Sequence, residues 1–172
     1  CNIMKDTEGD NPTGDYYFTS KSGYLYRISV NEDGTFDKDS LHWIKLSNSE
    51  GSEFTMSTST PTVYNGRAYV GVSGSEHFGA YKGHGIAVLD LKTMSVAYVV
   101  PTQGYPQTSG LLTKAYEKES GKVYVYFFDN YTPGRLRVIS DQPGQTESAD
   151  IEAEEVNGKT YNTAYTLFTP SG

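Results

Sequence analysis

The sequence has almost no cysteine: Cys1 is the only one in 172 residues. A single thiol cannot form an internal disulfide, and it argues against a cysteine-based zinc site. Because mature bacterial lipoproteins begin with a lipidated cysteine, a lipid anchor at Cys1 is one interpretation. We favour the other, a chain cut at an arbitrary point, since Asn2, Ile3 and Met4 look more like the end of a strand than a flexible tether.

Long apolar runs and clusters of basic residues are also missing. No run approaches the roughly 20 apolar residues of a transmembrane helix. The chain has 14 Lys and Arg against 21 Asp and Glu, for a formal net charge of -7. Contacts to phosphates need clustered cations, which are absent here. We therefore expect neither a nucleic-acid partner nor a membrane span.

Helical periodicity is nearly absent, and strand-like alternation of apolar and polar residues takes its place. The 15 Tyr, 18 Gly and 7 Pro are typical of short strands joined by tight turns. Asp33-Gly34 and Asn65-Gly66 are strong hairpin signals. The sequence therefore predicts an all-β, antiparallel fold. The predicted strands are 15–20, 24–30, 41–46, 61–64, 67–72, 85–91, 95–100, 110–116, 122–128, 135–140, 159–161 and 164–168.

One pattern occurs three times: a strand led by an aromatic residue, a turn, and a strand of alternating apolar residues. The leading tyrosines Tyr17, Tyr69 and Tyr124 lie 52 and 55 residues apart. A repeat of roughly this length with four strands is typical of a β-propeller blade. Such a sheet cannot bury both faces by itself, whereas stacked sheets can.

Residues 59–71 (STPTVYNGRAYVG) and residues 86–93 (IAVLDLKT) resemble the opening and closing segments of a quinoprotein-like, or PQQ-type, blade. Met94 stands where that family has Gly. The resemblance implies a β-propeller of about six to eight four-stranded antiparallel blades. This chain would hold about three of them, at approximately 11–58, 59–106 and 107–172, and would form a partial propeller.

The family's enzymes bind pyrroloquinoline quinone, with a Trp motif in every blade, a calcium site and a catalytic Asp. This chain has only Trp43, and Asp90 occupies the position of a structural turn residue in the repeat. We therefore expect no cofactor and assign no catalytic residue. The segment 31–37 has some calcium-loop character, but an Asp-Gly hairpin explains it without a metal.

An insertion at residues 74–84 interrupts a strand pair that other blades close within a few residues. Long loops on a rigid sheet are where binding residues collect. The candidate ligand-binding residues are Glu76, His77, Phe78, Tyr81 and His84. An ordinary surface loop is the alternative interpretation. The loop could supply three zinc ligands, but their spacing does not match a helical hydrolase motif, and we expect no metal.

Together these features favour a non-enzymatic binding or scaffold segment of a secreted or cell-surface bacterial protein. Its expected partners are a protein or a glycan, and the rest of the propeller or another chain that completes it. The alternative is a fragment of a propeller enzyme, a quinone oxidoreductase or a polysaccharide-active enzyme, whose active site needs blades absent from this chain. A scaffold that pairs through open sheet edges is a third hypothesis.

Overall fold

The computed structural model describes residues 3–6, 14–47, 57–74, 83–130, 135–147, 152–156 and 159–163. These residues confirm the all-β prediction, since they form antiparallel strands and one four-residue helix. Within these ranges the sheets do not close into a barrel or a ring, and no helix has the length and apolar character that a bilayer crossing requires.

The first sheet has the strand order β1-β2-β3-β4. Its strands are β1 (Ile3–Asp6), β2 (Asp15–Thr19), β3 (Tyr24–Val30) and β4 (Phe36–Lys45). The Asp-Gly turn between β3 and β4 is held by Asp33, whose Oδ1 accepts hydrogen bonds from the Thr35 amide at 3.0 Å and the Thr35 hydroxyl at 2.6 Å. The carboxylate of Asp33 therefore serves the turn, as the hairpin interpretation predicts.

The second sheet has the order β5-β6-β7-β8. Its strands are β5 (Thr62–Tyr64), β6 (Arg67–Ser73), β7 (His84–Asp90) and β8 (Ser95–Thr102). Asn65 and Gly66 both have positive φ, 48° and 71°, as a type I′ turn requires. At the next turn Asp90 Oδ1 accepts the amides of Lys92 and Thr93, so Asp90 is a turn residue as predicted.

The third sheet has the order β11-β10-β9, and a separate hairpin follows it. Its strands are β9 (Leu111–Thr113), β10 (Val123–Asp129) and β11 (Arg135–Asp141), and the hairpin joins β12 (Glu152–Val156) to β13 (Lys159–Thr163). Strand β9 is shorter than predicted because the chain turns into the short helix α1 (Glu117–Ser120), which ends at Gly121 with φ 72°. The predicted strand 164–168 lies outside the described residues.

The second sheet is packed between the other two. On one side Ala68, Val70, Val72, Ala87 and Leu89 contact Tyr17, Leu25, Ile44 and Leu46 of the first sheet and its flank. On the other side Tyr69, Ile86, Val88, Tyr98 and Val100 contact Val123, Val125, Phe127 and Ile139 of the third sheet. All of β6 is therefore buried. Each fully buried aliphatic side chain contributes roughly 1.5–3 kcal/mol, and these two layers form the core.

Candidate functional site

Of the five residues predicted to bind a ligand, the described part of the chain includes only His84, the first residue of β7. Glu76, His77, Phe78 and Tyr81 lie outside the described residues. His84 pairs with Ser73 across the sheet, at the end from which the long insertion leaves. The site can therefore be described from the two ends of that insertion.

His84 belongs to a polar group that we call the His84 cluster: Thr58, Ser73, His84 and Tyr105, together with Gln103, which follows Thr102, the cross-strand partner of His84. The Ser73 hydroxyl lies 2.8 Å from His84 Nδ1. The imidazole stacks on the Tyr105 ring, with 6.2 Å between the ring centres and 18° between the planes. The Tyr105 hydroxyl in turn accepts the Thr58 amide at 2.6 Å. These contacts hold the His84 ring in one orientation.

Burial lowers the pKa of His84, and the negative charge of Asp129 offsets part of this effect. The imidazole is therefore neutral near pH 7, with one donor and one acceptor nitrogen. Asp129 itself forms a buried ion pair with Arg137, with 3.0 Å between Asp129 Oδ2 and Arg137 Nε. The negative charge of Asp129 is thus already balanced by the guanidinium of Arg137.

Gln103, next to the His84 partner Thr102, is buried with an exposed fraction of 8%. Neither its amide nitrogen nor its amide oxygen has a hydrogen-bond partner within the described ranges. A buried polar group left without a partner costs roughly 1–3 kcal/mol. In native proteins most buried polar groups have a hydrogen-bond partner, and an ordered water is a common one. An amide there can both donate and accept a hydrogen bond.

The His84 cluster is suited to hydrogen bonding rather than to nucleophilic chemistry. Ser73 is completely buried, so its hydroxyl faces His84 and not a substrate. Among the described residues no three His, Cys, Asp or Glu side chains are grouped as a metal site. The groups it offers are a neutral imidazole, an aromatic ring and an amide.

A second polar group, the Arg67 cluster, lies at the opposite ends of β6 and β10 and joins the second sheet to the third. Arg67 Nε and Nη2 donate to the two carboxylate oxygens of Asp141 at 2.9 and 3.0 Å. The hydroxyls of Tyr69 and Tyr98 donate to the same carboxylate, each at 2.8 Å. Arg67 also donates to the main-chain oxygen of Gln145 at 2.8 Å.

The Arg67 cluster is almost dry, since Arg67 is 2% exposed and Asp141 is fully buried. Burial alone would lower the pKa of Arg67, but the hydrogen bonds and charge of Asp141 outweigh it and raise the pKa. Burial, and then Asp141, raise the pKa of Tyr69 and Tyr98 far above the usual range. A small cleft beside this cluster has room for about one water molecule, so it is not a ligand pocket.

Sequence reasoning missed the Arg67 cluster. The available signal was weak: Arg67 is the only charged residue of the buried strand β6, and an Asp ends a strand in the third sheet. Pairing the two required knowing which sheets stack, because they lie 74 residues apart. His84 was predicted as a ligand-binding residue because the insertion at residues 74–84 interrupts the repeat.

Comparison with known proteins adds no relative: no family model matches the chain, and no curated protein or solved structure is significantly similar to it.

Proposed function

We propose that this chain is a non-enzymatic binding or scaffold segment of a secreted or cell-surface bacterial β-propeller protein with PQQ-like repeats. Its sheets would serve as blades, and the loops at the His84 end would carry the ligand-binding groups. The partner would be a protein or a glycan. The observation that supports this proposal is the second sheet, which is covered on both faces by sheets of the same repeat.

This packing is what a stack of blades requires. A flat, two-layer β-sandwich would leave one face of each sheet to solvent, whereas here β6 and β7 are buried on both faces. The second sheet contacts the following sheet through one face and the preceding one through the other, as in repeat architectures. The rigid frame formed in this way holds the insertion between Ser73 and His84 at one end.

The His84 cluster supports a polar ligand at that end. His84 is oriented by Ser73 and Tyr105, and Gln103 presents an amide whose donor and acceptor are both unpaired within the described ranges. Sugar hydroxyls and peptide groups both offer a donor and an acceptor to such an amide. The loop residues Glu76, His77, Phe78 and Tyr81 would add the remaining contacts.

The test is a pair of assays on the whole chain. Binding is measured on an array of immobilised oligosaccharides, and turnover is measured with chromogenic glycosides and with a dye-linked alcohol oxidation supplemented with pyrroloquinoline quinone and calcium. We expect saturable binding to a subset of the glycans and no turnover. The variants His84→Ala and Gln103→Ala should weaken binding at least about tenfold, as expected when a buried hydrogen-bond partner is lost.

His42→Ala is the matched control, because His42 is exposed on β4 and far along the chain from the insertion. Equal loss of binding in the control would contradict a site at the His84 end. Quinone-dependent dye reduction or glycoside hydrolysis would instead favour the alternative, a fragment of a propeller enzyme.

A further inference from the structure

The third sheet has an outer face that points away from the second sheet. The equivalent faces of the first and second sheets are each covered by the following sheet. Tyr17 and Tyr69 are 3% and 1% exposed because each is covered by the following sheet. Their repeat equivalent, Tyr124, lies on the face of β10 that points away from the second sheet, and it is only half-buried. We call this the trailing face; its large apolar members along β9 and β10 are Leu111, Tyr124, Tyr126 and Phe128.

The first sheet has the opposite kind of open face. Val70 and Val125 are fully buried against the preceding sheet, whereas their repeat equivalent Phe18 is half-buried. Tyr26, the equivalent of the buried Ala87, stacks on Phe18 at 5.1 Å between ring centres. We call this the leading face; it includes Phe18, Tyr24, Tyr26 and Trp43, which share one side of the sheet by register.

Both faces expose large apolar side chains to solvent. Trp43 is 59% exposed on the leading face, and Leu111 is 72% exposed on the trailing face. On the trailing side Val138 and Ser140 of β11 are already buried, so the open area follows β9 and β10. Exposed apolar area of this kind marks an interaction surface.

We propose that a second copy of this chain docks head to tail, with its leading face on the trailing face of the first. The inference rests on the stacked-repeat function proposed above. The sheet-to-sheet contact occurs twice inside the chain, always between a trailing-type and a leading-type face. The chain leaves one face of each type open among its described residues, so a second copy supplies the complementary partner. The contact is heterologous, since two different surfaces meet.

Trp43 is a site-specific probe of this contact, because it is the only tryptophan in the chain and lies on the leading face. We expect its fluorescence to shift to shorter wavelength, and its quenching by acrylamide to fall, as protein concentration rises from low micromolar to millimolar. Sedimentation should show a dimer or larger species over the same range. Because each copy carries a net charge of -7, added salt should strengthen the association.

A complementation experiment tests the head-to-tail geometry. Trp43→Asp damages only the leading face and Leu111→Asp only the trailing face, and both positions are exposed enough to tolerate the change. Each variant alone should associate at least about tenfold more weakly than the parent chain, a change of about 1.4 kcal/mol. Mixing the two should restore association, because each retains the face that the other lacks. The fluorescence of the mixture reports only on Leu111→Asp, since Trp43→Asp has no tryptophan.

Phe36→Asp is the control, because Phe36 is 57% exposed at the start of β4 and pairs with Val30 rather than lying beside Trp43. It should associate like the parent chain. A chain that stays monomeric with Trp43 exposed at every concentration would overturn the inference, as would variants that still self-associate alone. A Trp43 shift caused by an oligosaccharide without self-association would overturn it in favour of a glycan on the leading face. None of these results decides the binding and turnover assays, so the proposed function stands or falls separately.

Discussion

At the scale of single residues, the Asp141 carboxylate shows how this fold tolerates a charge inside its core. It is fully buried, yet it accepts hydrogen bonds from Arg67, Tyr69 and Tyr98. A buried carboxylate without such partners would cost several kcal/mol or become protonated. The tyrosine hydroxyls therefore belong to the polar network, and their aromatic rings belong to the apolar layer around it.

Stability should fall steeply in alkaline solution because Tyr69 and Tyr98 resist ionisation in the folded chain. Burial and then Asp141 raise the pKa of both groups, whereas an unfolded tyrosine ionises near pH 10. Their contribution is complete below about pH 10 and is lost as the pH rises above it, by up to about 1.4 kcal/mol per pH unit for each group. Urea unfolding between about pH 9 and about pH 11 measures this slope.

The variant Tyr98→Phe should flatten that slope, and Tyr116→Phe is the control because Tyr116 is 57% exposed. An unchanged slope in Tyr98→Phe would show that the alkaline loss arises elsewhere in the chain.

At the scale of strands and turns, local sequence was a good guide where turn chemistry is strong. The hairpins at Asp33-Gly34 and Asn65-Gly66 follow from residues that favour positive φ or hydrogen-bond their own backbone. The helical turn at Glu117–Ser120 lies between the predicted strands 110–116 and 122–128, and four residues carry no periodic signal from which a helix could be predicted. Met94 has a positive φ of 51°, a conformation that Gly adopts more readily than Met.

Gly71 in β6 is the position at which even the small substitution to Ala should destabilise the fold strongly. A Cβ built there would lie 1.7 Å from the Pro106 carbonyl oxygen, a backbone atom that cannot move aside alone. We expect Gly71→Ala to lower the free energy of unfolding by about 3 kcal/mol or more, measured by urea denaturation. Gly110→Ala is the comparison, because its close neighbours are the side chains of Val125 and Phe127, which can rotate. A larger loss at Gly110 would contradict this argument.

At the scale of the whole molecule, the sequence predicted what each segment forms but not what it packs against. The repeat placed Tyr17, Tyr69 and Tyr124 in equivalent positions, and the structure puts all three on the same side of their sheets. It could not predict the pair of Arg67 with Asp141, because nothing local links residues in different repeats. The candidate site was likewise predicted only through its insertion, and the cluster of Tyr105, Gln103 and Thr58 appears once β8 is placed beside β7.

A double-mutant cycle measures how strongly the Arg67 cluster joins the two sheets. Arg67→Met and Asp141→Asn should each lower the free energy of unfolding by about 3–5 kcal/mol, because each leaves a buried partner uncompensated. The double variant should lose less than the sum of both, and the difference is the coupling energy. The cycle on Asp15 and Arg27 is the control, since these side chains are 11% and 31% exposed and the pair should couple more weakly than Arg67 and Asp141. Additive losses at Arg67 and Asp141 would refute a joint role.

The contact between the second and third sheets contains the buried pair of Arg67 and Asp141. This pair affects the order in which the sheets can stack. Repeats of similar sequence can stack in the wrong order during folding, which is a common route to misfolding in repeat proteins. If the third sheet packed on the first, Asp141 would be buried against Tyr17 and Leu25 without the guanidinium of Arg67. The resulting penalty disfavours the skipped arrangement, whereas the correct order gives the carboxylate hydrogen bonds from Arg67, Tyr69 and Tyr98. Arg67 and Asp141 thus mark their sheets as neighbours, and we expect the Arg67→Met, Asp141→Leu chain to refold into mixed arrangements even where its native form survives.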